Sequence, residues 1–578
     1  MPESEKNPLV GIEFKPVRKC SRLTKRIGAP GERKICDIRT FAFRQKNTFT
    51  GTWLMRIAPI VPKALLVLAG FFLAARVLGG KSPTDAMRFF GLTLAFKIFS
   101  DGWEKSTLWA EKFKPIMDGT FASKTSNIFL VFFLFFASTH AINGLGIHAY
   151  QGFDISFFVQ ATHNAFSERG LLFKNIDGSA SFFAHHFSPF LFLLAPLGAL
   201  KEAPFFLYLV QDAVMALTFA LLHRRICKLE LGHKVAHILL FALVLGHPFW
   251  LGLVYYEFHE LSFAPLIMIF LLEAWEQKKH FMLFAAGMML LMIKETTFFS
   301  LVWFGAYLTL FEKKRAMRIC GVCLGVVATA LWFFYFKTLL PQVSNSTESM
   351  FMKYYGQLGH TMGEVALSPV LRPVEFLKAL FNAQNALYLF LMFAACGPFI
   401  SLRNAKWLIP VVPDFMMALL SSQTAIKHPG NQYAGLVIVP VLFCAISGFS
   451  DWGTWSQKKK TGTFAWIAAT VFMFIVSNPV RVWKHFFLSP ETGLASRSFV
   501  QALRSVRDTE PIAVTEENLL PFAAQRENLI WMPKERFSIE GLKDARWLAF
   551  KKENLPQAMD LCGNEGRVEW SGYVLCKL

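Results

Sequence analysis

The chain has 578 residues, of which 54% are hydrophobic, 62 are Phe and only 17% are charged. That composition excludes an ordinary soluble domain, and apolar runs separated by short basic loops give a polytopic helical membrane protein. The net charge of +20 would suggest nucleic acid in a soluble protein, but most of it lies beside spans, where anionic lipid and the positive-inside bias explain it, so no nucleic-acid partner is expected.

Residues 1–56 are polar and basic, with 13 Lys and Arg against 5 acids. They read as a cytoplasmic extension without a cleavable signal peptide, leaving the first apolar run as a retained anchor. Within 57–125, the runs 57–79 and 85–100 contain Lys63, Arg76, Arg88 and Lys97. They form either a helical hairpin or interfacial helices with snorkelling lysines. The segment 126–478 is expected to hold eleven core spans, at 127–146, 204–222, 235–254, 261–275, 281–293, 298–311, 319–336, 386–402, 407–421, 434–450 and 463–477.

Loops assigned to the inside (223–234, 276–280, 312–318, 403–406, 451–462) hold 15 Lys and Arg in 40 residues, whereas those assigned outside (147–187, 255–260, 294–297, 337–380, 422–433) hold 8 in 107. This asymmetry orients the chain with a cytoplasmic N-terminus in the plasma (inner) membrane. The first outer loop, 147–203, includes the apolar stretch FSPFLFLLAPLGAL at 187–200. Its shortness and two prolines suit a re-entrant or interfacial segment better than a span. From 479 to 578, β-like runs (PIAVT, NLIWMP, ARWLAF, YVLCKL) alternate with helix-like stretches, which reads as a small α/β domain on the periplasmic or extracellular side. Cys562 and Cys576 would pair there in an oxidising compartment. Cys320 and Cys323 form a CxxC inside an apolar stretch and read as small core residues.

The chemistry-bearing residues fall on the outer side. Asp154, in FDISFFVQ with Gln160, has the place of a general base, against the plainer reading of a loop acid or helix cap. His185 and His186 lie beside an apolar wall, and adjacent positions point different ways, so one is expected to face the site. Glu257, His259 and Glu260 in YYEFHE would bind a divalent ion such as Mg or Mn together with Asp154, or orient sugar hydroxyls, or simply cap the helix where it meets water. Lys294 and Glu295 interrupt a long apolar stretch, a costly placement that marks function by default, with Lys294 a candidate for a lipid phosphate. Asp414 lies within a span beside Pro410 and Pro413, which suggest local unwinding, and the loop TAIKHPGNQYAG adds Lys427, His428, Gln432 and Tyr433.

The stretches FDISFFVQ, HHFSPFLFLLAPLGAL, the helix containing Gln211, YYEFHELSFAPLIM, LLMIKETTFFSL and NQYAGLVIVP, in that order, resemble the bacterial family of predicted membrane proteins called domain of unknown function 2079. That family in turn resembles the GT-C glycosyltransferases. The resemblance covers about 130–450, and more weakly AVTEENLLPFAAQRENLIWMP in the C-terminal domain. It implies a GT-C-like core that moves a sugar from a polyprenyl-phosphate donor to a lipid, glycan or protein acceptor, with Asp154 in the catalytic role, as base or metal-site acid. His185, Glu257, His259 and Glu260 would then line the acceptor or metal site and Lys294 would take the donor phosphate. Two positions depart from the family pattern: there is one aspartate where many GT-C members have paired acids, and Gln432 stands where a histidine is expected. The expected fold is therefore an all-α polytopic membrane protein, with about eleven core helices and up to two N-terminal ones, carrying a small C-terminal α/β domain. The expected function is a membrane glycosyltransferase; a flippase of a lipid-linked substrate or a non-catalytic scaffold are the alternatives, the first needing repeated halves and broken mid-membrane helices.

Overall fold

The computed structural model describes residues 152–229, 247–344, 353–394, 404–448 and 497–578, except 169, 174, 175 and 565, together with 133 and 456. The basic N-terminal extension, the runs at 57–100 and the spans expected at 127–146 and 463–477 lie outside the described residues, apart from residue 133. The chain is mostly helical, with a small sheet at its C-terminus.

The helices follow the apolar runs. Helix α1 spans Phe153–His163, and a short hairpin of β1 (Phe166–Ser167) and β2 (Gly170–Leu171) follows it. The stretch at 187–200 yields only α2, Leu191–Gly198, too short to cross a bilayer. Next come α3 (Ala203–Cys227), α4 (Pro248–Tyr255), α5 (Ala264–Glu276), α6 (His280–Leu291), α7 (Thr297–Phe311) and α8 (Arg315–Phe334). Two helical segments, Ala203–Cys227 and Arg315–Val343, are long and apolar enough to cross a membrane; Pro373–Leu380 with Ala383–Phe393, bent by 44°, makes a third if counted as one span. Helices α6 and α7 and the later Ile438–Gly448 are apolar but shorter. The turns at Glu257–Glu260 and Lys294–Thr296 fall in the expected outer loops 255–260 and 294–297, while the apolar helices between the loops are mostly shorter than a full span, and the spans expected at 127–146, 235–254, 386–402 and 463–477 lie wholly or partly outside the described residues.

Helices α9 (Met362–Leu371), α10 (Pro373–Leu380) and α11 (Ala383–Ala394) follow, with Val370, Leu371, Val374, Leu377 and Phe381 exposed along them. Asp414 sits where the chain passes from a 3-10 turn, Ala405–Val411, into α12, Val412–Leu420. It accepts the Ser300 hydroxyl from α7, so the two prolines do mark a local break. Helix α13 covers Ile438–Gly448.

The helix ends meet in two sets. Where α3, α5 and α7 finish, Arg225 pairs with Glu276 (2.7 Å), Lys278 with Glu312 (2.5 Å) and the Trp275 indole N–H donates to Glu312 (2.7 Å). Arg225 also lies over the Phe443 ring, 4.0 Å from its centroid. Where α5 and α7 begin, the side chains of Glu260, Lys294 and Glu295 gather instead.

In the C-terminal module, α14 (Arg497–Ser505) precedes β3 (Ile512–Val514), β4 (Leu529–Trp531), β5 (Trp547–Lys551), β6 (Val568–Trp570) and β7 (Tyr573–Lys577). The strands form one sheet in the order β4-β3-β5-β7-β6. β3 runs parallel to both β4 and β5, and the others pair antiparallel. Cys562 and Cys576 are joined by a disulfide. The module packs on the helical part: Gln525 donates to the Gly198 and Leu200 carbonyls, Arg504 pairs with Glu202, and the Trp531 ring lies 6.0 Å from that of Phe153.

Candidate active site

Helix α1 begins at a glycine for steric and conformational reasons. Gly152 has φ +85, and a Cβ there would lie 2.5 Å from the Glu517 carbonyl oxygen. With no side chain of its own to cap the helix, its N-terminal N–H groups need an outside acceptor. Glu257 supplies it: Oε1 accepts the Gly152 N–H at 2.5 Å and Oε2 the Ile155 N–H at 3.0 Å. A carboxylate also suits the positive end of the helix dipole. Burial, and then the charge of Asp154, nonetheless push Glu257 up to about 7, against the backbone N–H groups that favour its anion. Glu257 is thereby a cap for the segment that presents Asp154.

Asp154, in the first turn of α1, accepts the Tyr256 hydroxyl on Oδ2 at 2.7 Å. Burial and the adjoining Asp154 carboxylate hold the Tyr256 phenol well above its ordinary range, so it stays a donor. Tyr256 ends α4 with an extended backbone, ψ 162, which turns the next residues back toward α1.

Beyond that turn lies a buried chain of charges. His259 Nδ1 is 2.7 Å from Glu260 Oε2, and Lys294 Nζ is 3.2 Å from Glu260 Oε1. Glu260 is fully buried. Burial alone would raise it, but His259 and Lys294 hold its carboxyl below the usual range. Burial lowers His259 despite Glu260. Burial would likewise lower Lys294, yet Glu260 and Glu295 raise it and keep it charged. Glu295 in turn lies 3.0 Å from His186 Nδ1 and accepts the Phe187 N–H at 3.0 Å. Ser188 donates to the Ile293 carbonyl and Phe190 N–H to that of Met292, so the loop before α2 is fastened to the turn before α7.

The remaining expected residues separate. His185 points away from this chain and pairs with Asp177 at 2.9 Å, whereas His186 joins it, as the opposite orientation of neighbouring side chains requires. Gln211 accepts the His259 N–H at 3.1 Å. Gln160 is fully buried, and its amide finds no hydrogen-bond partner among the described residues. Tyr433 is raised by burial and lies within the electrostatic reach of Lys294, Asp154 and Glu260. Lys427 serves a different end, donating to the Ser421 carbonyl at 2.9 Å just after α12.

The expected divalent-ion set does not fit this geometry. Both oxygens of Glu257 accept backbone N–H groups, the two oxygens of Glu260 face His259 and Lys294, and Asp154 is held by Tyr256. Among the described residues no three His, Cys, Asp or Glu side chains are grouped as metal ligands; Glu257 is turned to the N-terminus of α1, Asp154 to Tyr256, and His259 and Glu260 to each other.

Sequence reasoning passed over three neighbours of Asp154: Gly152, Tyr256 as its donor, and Glu517, whose carboxyl is raised first by burial and then by Asp154. The glycine directly before FDIS was the available signal for the first. The others depend on contacts across more than 100 residues of chain.

A family model described as "Predicted membrane protein (DUF2079)" matches residues 131–560. The chain belongs to this family. The match runs through the helices and most of the C-terminal module. No curated protein matches the chain.

Proposed function

We propose that this member of the family is a glycosyltransferase that uses a polyprenyl-phosphate-linked sugar and works at the outer face of the plasma membrane. The observation that carries the reading is the mounting of Asp154: a half-buried carboxylate at the first turn of a helix, with one oxygen held by Tyr256 and the turn itself capped by a distant glutamate. Such a carboxylate is fixed in position and keeps Oδ1 to accept a proton from an attacking hydroxyl. The acceptor oxygen then attacks the anomeric carbon as the bond to the lipid phosphate breaks. Lys294, placed by Glu260, retains further N–H groups to receive the developing phosphate charge.

The sidedness rests on the charge asymmetry of the loops. It gains support from the way inside-assigned residues (Arg225, Glu276, Lys278, Glu312) contact one another while outside-assigned residues (Asp154, Glu260, Lys294) gather separately. The Cys562–Cys576 disulfide suits a module in an oxidising compartment. The test is Asp154→Asn in cells and in reconstituted membranes. The variant should insert normally and lose transfer by about 10²-fold or more; transfer at the native level would remove Asp154 from the mechanism.

A further inference from the structure

The C-terminal module carries a cavity of about 410 Å³, lined by Thr515, Glu516, Glu517, Asn518, Trp531, Pro533, Lys534 and Glu535, within the size range of small-molecule sites. Its place in the fold is specific. β3 lies between β4 and β5 and is parallel to both, so the chain leaves β3 toward one neighbour and later returns beside the other. In open parallel sheets ligands bind outside the carboxyl ends of the strands, and this cavity lies beyond those of β3 and β4. Thr515 to Asn518 follow β3 directly, and Trp531 ends β4.

The cavity adjoins the candidate active site. The Glu517 backbone is so close to Gly152 that no Cβ fits between them, and Trp531 contacts Phe153, the residue before Asp154. Its chemistry differs from that of the Lys294 end. Three carboxylates face one ammonium, Lys534, and Glu516 is oriented by Asn554, whose side-chain N–H groups reach both its oxygens at 3.1 and 2.9 Å. Half-buried Trp531 offers an apolar ring face. Carboxylates and an amide around an aromatic plane accept hydrogen bonds from hydroxyls or an ammonium while repelling phosphate.

We infer that this cavity binds a neutral or amine-bearing sugar ring and holds the acceptor beside Asp154. The identification of the ligand as the acceptor rests on the transferase reading; the binding of a sugar does not. Phosphate-bearing donor and phosphate-free acceptor would then approach Asp154 from electrostatically opposite sides.

The experiment is saturation-transfer NMR on the full-length protein in lipid nanodiscs, with glucose, glucosamine and glucose 6-phosphate as probes. Saturation should reach the ring protons of glucose and glucosamine and not those of the phosphate ester. Trp531→Ala should weaken binding about tenfold, with Trp531→Phe restoring most of it. Because Trp531 also touches Phe153, Glu535→Lys on the exposed rim is the second variant; it should weaken glucosamine and admit glucose 6-phosphate. No saturation of either unphosphorylated sugar, equal binding by Trp531→Ala, or preference of the native protein for the phosphate ester would each overturn the proposal. If sugar binds while the native protein transfers nothing, the transferase reading falls and the cavity stands; if sugar binds while Asp154→Asn transfers normally, only the role of Asp154 falls. If transfer requires Asp154 and no sugar binds, the cavity proposal alone falls.

Discussion

At one end of the helices, Arg225 with Glu276 and Lys278 with Glu312 each leave one partner substantially exposed, with side-chain exposures of 42% for Glu276 and 34% for Lys278. At the other, Glu260 and Lys294 are 0% and 4% exposed, and Glu295 completes a line that ends at His186. Water screens the first set and each pair there is worth at most about 1 kcal/mol. The second set has left water, so every charge in it depends on its partner, and replacing such an array by apolar side chains is often neutral or stabilising. A charged array kept in so costly a place, next to Asp154, is better explained by chemistry than by stability.

The largest effect that separates the two ends is expected from Glu260→Ala. It strands the Lys294 ammonium in a buried site and should lower stability by about 3–5 kcal/mol, read as loss of folded protein in thermal unfolding of purified material. Glu257→Gln should cost less, about 1.5–3 kcal/mol, because one amide oxygen still accepts an N–H while the amide NH₂ opposes the other. The same variant also sharpens the comparison through pH. The folded-state value of Glu257 is raised from 4.5 to about 7, so its contribution to stability is present below pH 4.5 and is lost as pH rises to about 7. Wild type should therefore lose stability relative to Glu257→Gln across that window; parallel pH profiles would show that Glu257 ionises as it does in the unfolded chain. The smallest change is expected at the opposite end. Arg225→Ala should cost about 1 kcal/mol or less from the ion pair, with transfer retained, and a loss as large as that of Glu260→Ala would erase the distinction between the ends.

Much of the site was legible as residue types and little of it as partnerships. The ionisable residues interrupting apolar sequence, Glu257, Glu260, Lys294 and Glu295, stand out from hydropathy alone because their burial is expensive. Their division of labour does not. Glu257 and Glu260 look equivalent three positions apart, yet the extended backbone after Tyr255 sends one to cap α1 and the other to Lys294. Hydropathy and charge did place the turns at 255–260 and 294–297, but not which groups inside the protein satisfy them.

By itself the sequence determined that this is a membrane protein, where its described apolar helices form, that a small sheet-bearing module lies toward its C-terminus, and which charged side chains are costly enough to matter. These follow from local composition and period, which need no knowledge of distant chain. Only the tertiary structure decided that Tyr256 holds Asp154, that His186 rather than His185 meets Glu295, that the candidate metal ligands take separate partners, and that a polar cavity of the C-terminal module opens beside Asp154. Each of these joins residues tens to hundreds of positions apart, and a hydrogen bond or ion pair between them exists only once the packing of the helices has brought both groups out of water together.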